Sequence, residues 1–223
     1  MDKEIKNLVG RRLDSTDTEH RPNDDGENGR IVENMLGIEE NNSTGADING
    51  KEIKTKNKKS KCRTTLFSCE PVRNKDRGYK RMTDIIDAYT TSVTGNIKRC
   101  NTTFRSGKAN NKGLYLSLET DKRKESDQRL CIYGVNDELV AHWPLDKLWK
   151  RFEKKLSNVV LIEHDGSVVS SVTSHSGIVK ESVWRMIENG DIVVEFRART
   201  GKNRGTAFRA HKKTHAQMYK EQK

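Results

Sequence analysis

Apolar side chains along this chain recur with two different periods, and the switches between them predict its elements. Ile5, Leu8 and Val9 share one side of a short helix within residues 1–12, and Ile31, Met35 and Leu36 share one side of a second helix over Asn28 to Glu40. The polar, glycine-bearing stretch between them, from Asp14 to Asn28, reads as a loop. Asn49-Gly50 is a turn signal, because both residues tolerate positive φ, and a strand begins after it with Ile53 pointing to the core. Thr64 to Ser68 reads as another strand, whereas Met82, Ile85, Ile86, Tyr89 and Val93 have helical spacing over Arg77 to Val93. Thr94 to Lys112 is polar and basic and reads as a long functional loop. Leu114, Leu116 and Leu118, then Leu130 and Ile132, then Leu139 to Trp143 alternate with polar neighbours, the pattern of an antiparallel meander. Leu145, Leu148, Trp149, Phe152 and Leu156 make an amphipathic helix with a basic outer face, and Val159 to Ile162 is a short buried strand. A further helix over Ile178 to Asn189 buries Val179, Val183, Met186 and Ile187 and stops at Gly190. The last pattern is a hairpin: Ile192, Val194, Phe196 and Ala198 alternate with Val193, Glu195, Arg197 and Arg199, and after Gly201 to Gly205 the return strand carries Thr206, Phe208 and Arg209.

Strands and helices are mixed throughout, so the expected class is mixed α/β (α+β). With 223 residues, three prolines and no long linker, the chain is expected to be a single unit, and 32% apolar content allows a modest core. A net charge of +11 and a pI near 9.5 call for a polyanionic partner, nucleic acid or an anionic membrane. No apolar run approaches the roughly 18 residues needed to span a bilayer, and the N-terminus lacks a signal-peptide core, so no membrane partner and a cytoplasmic location are expected. Cys62, Cys69, Cys100 and Cys131 include no pair at zinc-knuckle or redox spacing and read as reduced thiols. His211 and His215 are spaced to share a helical face, but a solvated basic tail accounts for them more simply.

Candidate chemistry concentrates in Gly45 to Lys54. The turn folds Asp47 back toward the following strand, where Glu52 and Lys54 project together. Two carboxylates can hold a hard cation such as Mg²⁺ while a lysine ammonium meets a phosphate or an attacking water, the arrangement for metal-assisted phosphodiester hydrolysis. A solvated charged hairpin explains the same residues equally well, because a chain that is 34% charged produces such patterns by chance. Asp146, Glu153 and Lys155 are an example, set aside because they fall in a helical run. Glu33, on the helix that leads into the Asp47 stretch, is either surface charge or a further acid of that site. Lys56, Lys58, Lys59, Lys61 and Arg63, and farther on Lys98, Arg99, Arg105 and Lys108, are suited to gripping a DNA backbone or simply to solvation. The C-terminal hairpin, with Arg197 and Arg199 on one face, is either a ribbon for the major groove or a basic edge that blocks aggregation.

Several stretches together resemble the MvaI/BcnI type of restriction endonuclease, within the PD-(D/E)xK-like nuclease superfamily and more distantly similar to the mismatch-repair nicking enzyme MutH. They are Gly29 to Glu33, Asp47 to Lys54, Thr65 to Phe67 with Pro71, Ile187 to Ile192, and Gly205 to Arg209, in the family's order from about Gly26 to Arg209. The resemblance implies a restriction-endonuclease-like core, with a mixed sheet flanked by helices and a DNA-recognition lobe forming a cleft. It places a catalytic part at about 26–95 and the remaining sheet and helices, with a recognition ribbon at 191–209, at about 96–223. It implies Glu33, Asp47, Glu52 and Lys54 as catalytic residues, with Asp47 and Glu52 holding Mg²⁺. It implies base contacts by Glu195, Arg197, Arg204 and Arg209, beside backbone contacts by Lys56, Lys58 and Arg105. Glu195 and Arg204 depart from the MvaI branch, which has aspartate and histidine there, and the ribbon loop is shorter. The implied activity is that of a Mg²⁺-dependent, sequence-specific endonuclease on double-stranded DNA, monomeric and nicking one strand at a time, with a cognate DNA methyltransferase as partner. The expected setting is a prokaryotic or phage-infected cell. The alternatives are a MutH-like repair or phage DNA-degrading nickase, and a non-catalytic DNA- or RNA-binding protein on the same fold.

Overall fold

A computed structural model describes residues 3–14, 26–38, 47–79, 82–89 and 91–220, apart from the side chains of residues 82, 83, 125, 203, 204 and 212. Gly45, Glu40 and most of the stretch between Asp14 and Asn28 lie outside the described residues. In chain order the helices are α1 (Lys3–Lys6), α2 (Glu27–Met35), α3 (Met82–Ala88), α4 (Leu145–Leu156), α5 (Lys180–Glu188) and α6 (Lys212–His215). The strands are β1 (Glu52–Asn57), β2 (Thr64–Ser68), β3 (Val72–Arg73), β4 (Ser92–Thr94), β5 (Ile97–Phe104), β6 (Tyr115–Glu119), β7 (Arg129–Tyr133), β8 (Leu139–Pro144), β9 (Asn158–His164), β10 (Val169–Ser176), β11 (Ile192–Arg199) and β12 (Lys202–Ala210). They build two compact units, one from residues 1–64, 152–178 and 219–223, the other from 65–151 and 179–218. These units interleave along the chain.

The first unit has a mixed sheet in the order β1-β9-β10, with β1 parallel to β9 and β10 antiparallel to it. Ile53, Val160, Ile162 and Val169 from the sheet pack with Ile5, Leu8 and Val32 from the helical segments into one core. Period-two alternation sends Glu52 and Lys54 away from Ile53, so the apolar residues that anchor β1 also fix where its charges point.

In the second unit one sheet runs β2-β12-β11-β5-β4 and another β3-β8-β7-β6. The meander of β6, β7 and β8 is as the alternation predicts. α5 ends in a Schellman cap at Gly190, φ +75°: Asp191 N–H donates to the Met186 carbonyl at 2.9 Å and Gly190 N–H to that of Ile187 at 3.1 Å. Phe208 stacks on Phe67 with ring centres 5.1 Å apart and meets the edge of Trp143 at 5.3 Å.

Two expectations are corrected here. The helix over 77–93 shrinks to α3, Val93 stands 62% exposed in β4, and the supposed loop after it contains the eight-residue strand β5. β5 reads as polar because one face alone is buried: Cys100, Thr102 and Phe104 point inward while Arg99, Asn101 and Thr103 point out. The C-terminal hairpin is neither a free ribbon nor an edge, since β11 lies between β12 and β5. Its turn is Thr200-Gly201, and the strand resumes at Lys202. β10, made largely of Ser, Thr and His, carries little hydrophobic signal at all.

Candidate active site and recognition face

The hairpin that starts β1 is closed by two residues with positive φ, Asn49 at 47° and Gly50 at 73°, in a type I′ arrangement. Ile48 and Lys51 exchange backbone hydrogen bonds of 3.1 and 2.8 Å across it, and Asp47 N–H donates to the Lys51 carbonyl at 3.0 Å. β1 is an edge strand, which leaves outward N–H groups without strand partners; Asp47 Oδ2 accepts that of Ile53 at 2.8 Å. This bond fixes the carboxylate beside Glu52. Burial raises the Asp47 carboxyl above its ordinary range; the Ile53 N–H opposes that rise, Glu52 adds to it, and Lys54 and Lys155 oppose it.

Glu52 is 4% exposed and each of its oxygens meets an ammonium. Lys54 Nζ donates to Oε1 at 2.5 Å and Lys155 Nζ to Oε2 at 3.0 Å. Tyr219 is close enough for the Glu52 charge to add to the effect of burial in pushing its phenol pKa up, and its ring stacks on His175 with centres 5.1 Å apart. Asp47, Glu52 and Lys54 therefore come together as the sequence suggests. Lys155 joins them unannounced: it lies three residues after Phe152 and seven after Leu148, on the apolar stripe of α4, a spacing that marks its burial and not its partner.

Glu33 is half-buried in α2, which packs on β1. Among the described residues no three acidic, histidine or cysteine side chains gather as a metal cage. Two adjoining carboxylates, one of them paired with two lysine ammoniums and the other accepting a backbone N–H at one oxygen, do suit a hard divalent cation.

Lys56, expected at the DNA backbone, turns inward instead: it is 9% exposed and its ammonium donates to the Cys62 carbonyl at 2.6 Å, closing the loop after β1. Lys58 and Arg105 are exposed. His215, expected in a solvated tail, is 2% exposed. All four cysteines are free thiols. No described helix is long and apolar enough to cross a membrane.

In the second unit an open pocket of about 440 Å³ lies over β5 and β11, lined by Arg99, Asn101, Thr103, Glu195, Arg197 and Arg199 among others. Cross-strand pairing sets Glu195 beside Thr103, Arg197 beside Asn101 and Arg199 beside Arg99. Arg209 Nη1 donates to Glu195 Oε2 at 2.6 Å, so the one acid of this face braces an arginine. The Arg204 backbone belongs to β12, and its side chain lies outside those described. Asn101 is the addition to the sequence-derived candidates, and Arg99, read from sequence as a backbone contact in a loop, lies here on a strand beside the hairpin.

The model of the MvaI/BcnI restriction endonuclease family matches residues 11–219. Among solved structures, restriction endonuclease MvaI in complex with its cognate DNA substrate aligns with a TM-score of 0.77 at 21% identity, covering 98% of this chain and 94% of that one. Restriction endonuclease MvaI in the absence of DNA aligns with a TM-score of 0.55 at 18% identity, covering 86% and 84%. No curated protein matches the sequence. At these identities the structures show a common fold, and the sequence match over 11–219 is what goes further.

Proposed function

The chain belongs to the MvaI/BcnI restriction endonuclease family, and from that premise we propose that it cuts double-stranded DNA with Mg²⁺ held by Asp47 and Glu52. Membership makes it a type II restriction deoxyribonuclease, a sequence-specific DNA endonuclease. The observation that carries the metal reading is the hairpin that sets Asp47 beside Glu52 and Lys54.

A bound divalent cation supplies Lewis-acid polarisation of a phosphoryl oxygen and lowers the pKa of a coordinated water. The protein's part is orientation. Asp47 keeps its bearing through the Ile53 N–H, which engages Oδ2, and offers Oδ1. Glu52 is steered from both oxygens by lysines. Lys54 Nζ leaves Glu52 Oε1 to donate to the attacking water or to a non-bridging oxygen, where it stabilises the charge that builds up on phosphorus oxygens. Glu33, from α2, assists by orienting water near the pair.

For recognition, Glu195 and Arg197 from β11, with Arg204 and Arg209 from β12, serve base edges, and the exposed Lys58 and Arg105 serve phosphates. The enzyme acts as a monomer that nicks one strand per encounter, in the cytoplasm of a prokaryotic or phage-infected cell, and a methyltransferase of matching specificity protects the host. The test is incubation of the full chain with unmodified plasmids with and without Mg²⁺. Nicking followed by linearisation is expected, and Asp47→Asn should lower the rate by on the order of a thousandfold, equivalent to several kcal/mol of lost transition-state stabilisation. Undiminished cutting by Asp47→Asn would place the metal elsewhere. No cutting of any of several DNAs would favour a binding protein without catalysis.

A further inference from the structure

Lys155 steers Glu52 in the reaction as proposed, but steering alone does not account for a charge buried in the first unit. The Lys155 side chain is 10% exposed, on the apolar stripe of α4, and its Nζ donates to Glu52 Oε2 at 3.0 Å. Removing an ammonium from water is costly, and an apolar residue would pack this stripe without that cost. Lys54 also neutralises Glu52 in the resting site, holding Oε1 at 2.5 Å, but it leaves that oxygen during the proposed reaction.

The charge count supplies a reason. Asp47, Glu52, Lys54 and Lys155 sum to zero when ionised, so this cluster of four carries no net charge before a metal arrives. A divalent cation brings the sum to +2, which balances one phosphodiester charge and one hydroxide. Without Lys155 the same sums are −1 and +1, giving a site that binds metal more tightly and phosphate less.

We propose that Lys155 is a positioning residue that holds Glu52 by Oε2 and sets the charge of the site, weakening metal binding in the absence of DNA and strengthening DNA binding once metal is present. The inference rests on the reading of Asp47 and Glu52 as metal ligands. Two effects of opposite sign distinguish it from a merely structural ion pair.

The full chain is titrated with Ca²⁺ by calorimetry in DNA-free buffer, and its binding to a labelled linear duplex of mixed sequence is measured with Ca²⁺ and with EDTA. For Lys155→Met, Ca²⁺ should bind about tenfold more tightly and the duplex about tenfold more weakly with Ca²⁺, a conservative share of one charge at contact range for an effective dielectric constant of about 20. Lys155→Arg should return both values toward wild type. Lys155→Gln serves if the methionine variant melts below the working temperature. Unchanged affinities in folded variants, or a loss of both together, would overturn the role of Lys155 while leaving the metal site standing. Failure of the wild-type chain to bind Ca²⁺ or Mg²⁺ would overturn the metal reading, and the inference with it.

Discussion

Glu52 and Asp47 serve the same hairpin but respond differently to substitution. Removing the Glu52 carboxylate strands Lys155 in a buried position, and breaking one side of a buried pair costs about 3–5 kcal/mol, so loss of activity there mixes folding with chemistry. Asp47 accepts one backbone bond and is the cleaner probe of the proposed metal site. His164 makes a separate prediction. It is 3% exposed, its Nδ1 accepts the Gly166 N–H at 3.0 Å, and burial pushes the imidazole pKa below the ordinary value of 6.5, partly offset by Asp165. A depressed histidine pKa means that the unfolded chain takes up the proton first. Its contribution to stability is therefore complete above about pH 6.5 and is lost as pH falls below it. Burial lowers His142 and His175 in the same direction. Melting curves should shift to lower temperature on acidification through this window, and His164→Gln, which can still accept from Gly166, should flatten the slope; a slope identical to wild type would remove His164 from the account.

β5 and β11 form a two-sided structure in which one face packs into the core and the other lines the open pocket proposed to read bases. Phe104 and Phe196 meet edge to face with ring centres 4.6 Å apart, and Phe104 is fully buried. Phe104→Ala should cost about 3–5 kcal/mol in urea unfolding, as truncation of a core aromatic does, whereas a loop residue would cost almost nothing. The opposite face predicts a loss of selectivity with little loss of fold. Arg197 projects into the open pocket, and a bidentate arginine–guanine pair is worth about 1–3 kcal/mol of discrimination. Arg197→Ala should relax cutting at one G·C position, read by sequencing the cut ends, while Lys58→Ala weakens binding to every sequence and keeps the order of preference. If Arg197→Ala merely scaled all sites equally, it would be a phosphate contact.

Across the whole molecule the formal charge of +11 acts through many weak contacts rather than one site. Not every cation is available for this: Lys56 is turned to the Cys62 carbonyl, and Lys98 is paired with Asp87 at 2.7 Å on the surface. With about six phosphate contacts, binding to non-specific DNA should still weaken on the order of a thousandfold between about 50 and 200 mM salt. A nearly flat salt response would show that the basic surface is not used for DNA.

The order of the apolar residues already contained most of the elements and the heart of the site. Ile53 between Glu52 and Lys54, Asn49-Gly50 before them, and the stripe of α4 are local patterns, and local patterns survive in the sequence because helix and strand periods are properties of a single segment. The family resemblance was legible for the same reason, being carried by short runs in a fixed order. β5 was not legible, since a strand with one wet face and hydrogen-bond partners from distant segments looks like a polar loop until β4 and β11 are set on either side of it. Nor was Lys155. A lysine in a charged helix carries no mark of its partner, and its meeting with Glu52, 103 residues away in sequence, exists because packing of the first unit brings the end of α4 to the start of β1. Such contacts depend on how far-separated segments fit together, a property that no single window of sequence contains.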